Sequence, residues 1–415
     1  MIKQQYDLII IGGGGGGLLL ALILGQQGLQ IALLESQKKP VFFRGGEMIQ
    51  PSGLRTLDRL GLLSELLSRD VFKNRFVHFQ KTDGSPLCTT DYQQLPPPYS
   101  YALILRPEVI QTLLLEKVNA IPNVTIFAGE KMTTILRDGS QVFGVETHDG
   151  DSVKQWHAPI VVAADGAASP FRSAMGVPYD LHAYRDGYLT ALLPMAPGFS
   201  EQAFYSLGRR QIVGLFPVGK ETLYLFYMVP QDKRDEILRC PFESFLQELH
   251  AINFSGVPAF EQAIFAGLKK WDDLSFRPCF KVSCRQWAVN GAVLLGDAAH
   301  AMNPHVAQGR NSAMEDAVVL SKILLDCFQK GDFSKNKLTE YETIRRPDVE
   351  ILQRMGDEMT FFWNSGLPPI VWARDLSFRA LQNNRAFGDK MLKTIAGIEV
   401  APITWQDRLR MISPF

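Results

Sequence analysis

The stretch Asp7-Leu-Ile-Ile-Ile-Gly-Gly-Gly-Gly-Gly-Gly-Leu18 reads as a buried strand, a glycine turn and the opening of an apolar helix. Read as G-x-G-x-x-G, it uses Gly12, Gly14 and Gly17. Gly12 permits the tight turn, Gly14 lets a pyrophosphate approach the backbone, and Gly17 lets helix and strand pack closely. The helix then directs free N–H groups and the positive end of its dipole at the phosphate. Gln30-Ile-Ala-Leu-Leu-Glu35 reads as the second strand. It ends in a carboxylate at the spacing, about 20 residues on, where an acid grips the ribose hydroxyls of a dinucleotide. The competing reading is a glycine-rich signal or membrane segment, with Lys3 ahead of the apolar stretch. Six glycines would cost such a helix about 1 kcal/mol each relative to alanine. Asp7 also lies near its start, and no small-residue cleavage site follows.

The chain has 415 residues, 46% of them hydrophobic, which suits a globular protein with a large core and two or three domains. Lys+Arg and Asp+Glu both number 43, so no nucleic-acid partner or polybasic membrane anchor is expected. Cys88, Cys240, Cys279, Cys284 and Cys327 are scattered without a C-x-x-C pair. This argues against structural zinc and a disulfide scaffold, and for a reducing cytoplasm.

Outward from the glycine run, Ser52 is expected to cap a helix carrying Leu54, Leu57 and Leu60 and ended by Gly61. Residues 75–92 read as a hairpin about Asp83-Gly84, and Pro107 opens a helix reaching about Ala120. Residues 131–158 read as a meander, and Ile160–Ala164 as a buried parallel strand. From about 180 to 285 the character changes to aromatic-rich strands, among them Gln211–Val218 and Thr222–Val229, with a helix over Glu236–Ala251. Ala292–Leu295 is a further buried strand, followed by a helix from about Arg310 to Lys330. Residues 331–415 read as mostly helical, with breaks near Pro347, Pro368-Pro369 and Pro402.

Two later segments repeat the design of a buried strand ending in an acid. They are Ala163-Ala-Asp-Gly-Ala-Ala-Ser-Pro-Phe-Arg172 and Gly296-Asp-Ala-Ala-His-Ala-Met-Asn-Pro-His-Val-Ala-Gln-Gly-Arg-Asn311. Ligands of open α/β sheets sit at the carboxyl ends of the strands, where Asp165 and Asp297 can accept hydrogen bonds from polyol hydroxyls. Gly309 opens a helix whose N-terminus can hold a developing negative charge.

With these three motifs in this order, about residues 5–350 resemble the FAD-dependent aromatic hydroxylases, the para-hydroxybenzoate hydroxylase superfamily. The G-x-G-x-x-G with Glu35 matches that family's ADP-binding motif. Ala164-Asp165-Gly166, with Ser169, Arg172 and Gly176, matches its DG motif, associated with both FAD and NAD(P)H. Gly296-Asp297, with Pro304, Gly309 and Asn311, matches its GD motif, which contacts the ribityl chain and the flavin ring. By position, Arg44 and Arg106 stand where the family places FAD-contacting side chains. The chain departs from the family's frequent Gly-Gln-Gly at Ala307-Gln308-Gly309, for which a small steric change is expected.

The resemblance implies an α/β fold with a Rossmann-like FAD-binding domain, an inserted β-sheet substrate domain and a C-terminal helical region. The expected division is 1–178 with 281–350, then 179–280 with the 72–104 hairpin contributing, then 351–415. It also implies an enzyme with bound FAD, reduced transiently by NADH or NADPH, that uses O2 to hydroxylate a phenolic or quinone-like small molecule through a flavin hydroperoxide. Pro304 is expected to offer its carbonyl to a substrate hydroxyl, and His305 and His300 are the candidate bases, with His300 the more structural. Tyr205, Phe216, Pro217, Tyr224, Phe226 and Tyr227 are candidates for an aromatic pocket, Phe216-Pro217 foremost, against the plainer reading that alternate residues pack the sheet. The alternatives are epoxidation or hydroxylation of a lipophilic isoprenoid, and alkene reduction of the geranylgeranyl reductase type. A halogenase is disfavoured, because the tryptophans lack its Trp-x-Trp-x-Ile-Pro signature. The apolar stretch Phe361–Trp372 reads first as core packing, with a greasy substrate, a membrane surface and a partner subunit as the alternatives, and the expected state is monomer or homodimer.

Overall fold

Short apolar runs, each stopped by glycine or an acid, build the sheet that organises the chain. The computed structural model describes residues 3–195, 202–254 and 260–412. Its central sheet has six strands in the order Ala288–Val289, Ala292–Leu294, Ile160–Ala163, Leu8–Ile11, Ile31–Glu35 and Val124–Ala128. All neighbours are parallel except the outer Ala288–Val289 pair. Every residue of Leu8–Ile11 and Ile160–Ala163 is buried, as continuous apolar runs require when both faces are covered. The helix Gly15–Gly25 packs on this sheet, and the helix Gly309–Lys330 packs on that helix.

Register carries the three motifs to one edge. Leu8 stands opposite both Ile160 and Ile31, and Ala163 stands opposite Leu294. The next backbone bonds run Gly12 N–H to Leu34 C=O, Ala164 N–H to Ile11 C=O and Leu295 N–H to Ala163 C=O. Gly12, Glu35, Asp165 and Asp297 therefore all leave the carboxyl edge of the same sheet.

A second sheet of seven strands runs Ser275–Arg277, Asp186–Pro194, Thr222–Pro230, Ile212–Pro217, Ala203–Leu207, Phe76–Lys81 and Pro86–Asp91. The hairpin about Asp83-Gly84 joins it through the parallel pairing of Phe76–Lys81 with Ala203–Leu207. Side chains alternate across this sheet. Leu215, Leu225 and Tyr227 pack on the helices Phe242–His250 and Phe260–Gly267, while Phe216 and Phe226 join an aromatic cluster on the other face. Four helices, Lys335–Trp363, Pro368–Asn383, Arg385–Ile395 and Trp405–Ile412, complete the described chain. Among the described residues no helix is long and apolar enough to cross a membrane.

Three local expectations are corrected. Ser52 is not the cap. Pro51, with its φ already set for a helix, takes the first turn of Pro51–Arg59, Gln50 takes the cap, and Ser52 is buried inside. The segment Glu236–Ala251 is two helices, Arg234–Ile237 and Phe242–His250, because Pro241 has no N–H with which to continue the first. Pro347 does not break the chain but lies inside Lys335–Trp363. Tertiary contacts on either side hold that helix together: Arg345 donates to the buried Asp316 at 2.7 Å, and Tyr341, Val349 and Leu352 are in the core.

The glycine run separates packing from access. A Cβ on Gly17 would run into the Gly12 carbonyl oxygen, whereas one on Gly14 meets nothing within 4 Å. Gly17→Ala is therefore expected to destabilise the protein by about 1–3 kcal/mol. Gly14→Ala, in ordinary extended backbone at a helix cap, is expected to cost under about 1 kcal/mol. Urea denaturation of the two variants checks the difference.

Candidate functional site

The glycine turn presents an open cradle. Gly12 sits at φ +101°, where a side chain is strained, and a Cβ there would strike the Ala164 carbonyl. The Gly13 N–H donates to Glu35 Oε2 at 2.8 Å, while Glu35 Oε1 accepts from the Gln37 N–H at 2.8 Å and the Ser36 hydroxyl at 3.2 Å. These bonds fix the carboxylate beside the turn. Gln111 Nε2 donates to the Gly13 carbonyl from the helix Pro107–Asn119. The open space at Gly14, ahead of the N–H groups of Gly15–Gly25, matches the room a pyrophosphate needs.

Asp165 leans on the same turn. Its Oδ2 accepts from the Phe171 N–H at 3.2 Å, and its buried Oδ1 has no partner. Burial pushes this carboxyl above the usual range, with Ser169 and the Phe171 N–H opposing. Arg172 ties the two later motifs together. Fully buried, it donates to the Ala167 carbonyl at 2.7 Å and to the Ala298 carbonyl at 2.9 Å. Asp297 opens onto a cavity of about 400 Å³, and the protein packed around that cavity raises its pKa, opposed by His300 and Arg310. Gly309, the first residue of its helix, lies beside it: a Cβ there would be 3.8 Å from Asp297 Oδ1.

Arg310 and Glu47 were not singled out from the sequence. Arg310 Nη2 donates to Glu47 Oε1 at 2.9 Å, and its Nε lies 2.5 Å from Glu47 Oε2. The buried Nη1 has no partner and stands against Gly15, in the first turn of the glycine-loop helix. A guanidinium atom with an unused donor thus faces the N-terminus of that helix. No spacing rule pairs residues so far apart in sequence, and only an arginine following Gly309 hinted at it.

Asn311 is fully buried, and its side chain is consumed by protein. It donates to the Met48 and Ala307 carbonyls at 3.1 and 2.9 Å and accepts from the Gln50 N–H at 3.0 Å. Its backbone, in the first turn of the helix, remains at the site. Ala307 adopts φ +49°, a left-handed conformation costing about 1–2 kcal/mol outside glycine. The steric change expected there is thus a backbone strain.

The 400 Å³ cavity brings this loop against the second sheet. Asp297, Pro304, Gly309 and Arg310 form one wall, and Tyr188, Phe216, Tyr224 and Phe226 the other. A second cavity of about 580 Å³ shares Met48, Tyr205, His305 and Ala307 with it. Tyr205 stacks on Phe79 with ring centroids 5.0 Å apart and meets Phe216 edge-on at 5.1 Å. Burial raises the phenol pKa of both Tyr205 and Tyr224. Pro217 is buried and lines neither cavity. Tyr227 faces the opposite side of the sheet, bonded to Glu248 at 2.8 Å. Arg44 is exposed and donates to the Asp272 carbonyl at 2.6 Å. Arg106 caps its helix and lies 3.6 Å from Asp70 and 3.3 Å from Glu108.

Of the two histidines in the loop, His300 is locked in the core, its Nε2 2.6 Å from Asp316. His305 reaches both cavities. Its Nδ1 meets Asn303 Oδ1, and its Nε2 lies 3.0 Å from Asn364 Oδ1 and 3.2 Å from the Tyr188 hydroxyl. Burial lowers its pKa to about 4, with Asn364 opposing. An unfolded histidine titrates near 6.5, so the unfolded chain binds the extra proton between these values. The stability contribution is complete above about pH 6.5 and is lost as pH falls towards 4. Between pH 7 and 5 the native protein is expected to lose up to about 2 kcal/mol more than His305→Gln, read by urea denaturation at the two pH values.

A family model described as an FAD binding domain matches residues 5–355. The chain is 28% identical over 384 residues to 6-methylpretetramide 4-monooxygenase of Streptomyces rimosus, with 90% of each covered. It is also 28% identical over 344 residues to 2-heptyl-3-hydroxy-4(1H)-quinolone synthase of Mycobacteroides abscessus, covering 82% of this chain and 86% of that relative. Among solved structures, PqsL of P. aeruginosa in complex with 2-aminobenzoylacetate shares the fold, with a TM-score of 0.78 at 23% identity over 87% of this chain and 97% of that one. The glycine cradle, the two acid-ended strands and this match over most of the length agree: the chain belongs to the FAD binding domain family, as an FAD-dependent monooxygenase of the aromatic hydroxylase superfamily.

Proposed function

We propose that this enzyme uses NADH or NADPH and O2 to hydroxylate a phenolic or quinone-like aromatic small molecule. The observation that carries the reading is the 400 Å³ cavity, in which the loop from Asp297 to Arg310 faces an aromatic wall of the second sheet. The names of two relatives, a 6-methylpretetramide 4-monooxygenase and a 2-heptyl-3-hydroxy-4(1H)-quinolone synthase, support an aromatic substrate.

The residues present fit FAD: an open glycine cradle, a fixed Glu35 carboxylate, an unpartnered Asp165 oxygen and an unpartnered Arg310 nitrogen. When bound, FAD supplies the redox and oxygen-activating chemistry. Glu35 would take the ribose hydroxyls, and the N–H groups from Gly14 to Gly17, on the turn that Gly12 shapes, would take the pyrophosphate together with Arg310. Asp165 and Asp297 would bind polyol hydroxyls, and Arg44 and Arg106 would guard the cofactor's edges. The N-terminal turn at Gly309 and Asn311 offers its dipole to negative charge developing beside it.

On the substrate side, Tyr205, Phe216 and Tyr224 give the ring flat apolar surfaces that exclude water. Pro217 supports Phe216 from within the strand. The Pro304 carbonyl is an acceptor for a substrate hydroxyl. His305 is neutral at pH 7, since burial holds it near 4. Both of its nitrogens meet protein oxygens, Asn303 Oδ1 and Asn364 Oδ1, and its low pKa makes it a poor proton acceptor, so in this reading His305 shapes the wall beside the substrate rather than serving as the base. The first sheet with its helices forms the cofactor domain in this reading, and residues 179–280 with the 72–104 hairpin form the substrate domain. The free cysteines support a cytoplasmic setting.

An oxygen electrode and an NAD(P)H assay test the function on a panel of phenols, quinolones and prenylated quinones. Substrate-stimulated NAD(P)H oxidation with O2 uptake exceeding H2O2 release is expected, whereas flavin reduction without coupled O2 consumption would move the reading to a reductase. For the cofactor, Arg310→Met is expected to weaken FAD binding about tenfold or more, the loss of one charge-assisted hydrogen bond. Titration of the apoprotein by flavin fluorescence measures it.

A further inference from the structure

The 400 Å³ cavity has the loop residues Asp297, Pro304, Gly309 and Arg310 on one wall and Phe216 and Tyr224 on the other, so in the reading above the flavin ring and the reacting ring meet within it. The larger cavity, about 580 Å³, lies beyond and is built differently. The strands Phe76–Lys81 and Pro86–Asp91 give one side of it, through Val77, Phe79 and Cys88. The three helices Lys335–Trp363, Pro368–Asn383 and Arg385–Ile395 close the other, through Trp363, Phe378, Leu381, Met391 and Leu392. The two volumes meet at Met48, Tyr205, His305 and Ala307. Among the described residues no lysine lines the larger one, and its one arginine, Arg385, is exposed, as are Gln94, Gln382 and Asn383 of the same lining. The chamber thus has an apolar floor of Val77, Phe79, Trp363, Phe378, Met391 and Leu392, with Gln50, Thr89, Thr90, Asp91 and Asp389 as polar points on its walls, and it shares four lining residues with the smaller cavity.

We propose that this chamber is a tail site: it takes a hydrocarbon or fused-ring extension carried by the aromatic substrate, whose reacting ring sits at the junction by His305 and Tyr205. The proposal rests on the aromatic-hydroxylase reading above and narrows its substrate to aromatics with a long apolar arm. A carboxylate-bearing arm is selected against, because the inner chamber offers no cation to replace its lost hydration. Each methylene buried there strengthens binding roughly fourfold, until the chamber is full.

The test uses the FAD-loaded enzyme and two series, 2-alkyl-4-quinolones and 4-alkylphenols, with chains from methyl to nonyl. Dissociation constants come from the flavin absorbance change, and kcat and KM from coupled O2 uptake. In at least one series, affinity is expected to climb by roughly threefold to fourfold per methylene and then level off. Leu381→Trp, which fills the chamber, is expected to lower the preference for nonyl over methyl at least tenfold. Leu381→Phe is the milder variant if the first loses FAD or folds poorly. Affinity that ignores chain length while short members are still hydroxylated would overturn the tail site and leave the hydroxylase reading standing. Failure of every member to bind or to be hydroxylated would overturn both.

Discussion

The structure depends on one close approach. The helix Gly15–Gly25 can dock on the turn after Leu8–Ile11 only because Gly17 carries no side chain, and Gly12 packs as closely on the Ala164 carbonyl of the neighbouring strand. That contact brings the helix N-terminus level with the carboxyl ends of the neighbouring strands. Parallel register does the rest. With Leu8 opposite Ile31 and Ile160, and Ala163 opposite Leu294, three separate acid-ended turns converge on one edge. A shift of one strand would move an acid out of the cradle and turn its apolar side chains to the wrong face.

Buried polar side chains then join segments far apart in the chain. Arg172 spans the turns after Ala163 and Leu295 by bonding a carbonyl in each. Asn311 clamps Met48 and Gln50 onto the helix that begins at Gly309. Arg310 holds Glu47 while leaving one nitrogen for the cradle. Each is a polar group that would be costly if unpaired, so each fixes a geometry rather than adding much net stability. The price of the arrangement is visible at Ala307, held in a left-handed conformation where the loop turns into the helix.

Much of the framework is legible in the sequence. Glycine and proline punctuate backbone conformation locally, so the β-α-β unit, the hairpin at Asp83-Gly84, the meander and the helix opened by Pro107 could be read from neighbours in sequence. The misreadings came where local and tertiary signals compete. Ser52 is a good cap residue, but the adjacent Pro51 set the helix start. Pro347 is a helix breaker, but ion pairs and core contacts on either side carried the helix through it. At the candidate site, Glu35, Asp165 and Asp297 were legible because a strand must end where an acid turns out. The pairing of Arg310 with Glu47, the consumption of the Asn311 side chain and the turning of Pro217 away from both cavities were not.

By itself, the sequence determined the motifs, their order and the strand ends on which they ride, because these rest on backbone freedom and on the period of apolar residues, both local properties. Only the tertiary structure decided which side chains meet in the cavities, that His305 reaches both while His300 is locked to Asp316, and that the last helices close a second apolar chamber. Those facts depend on the packing of segments hundreds of residues apart, for which no local pattern exists.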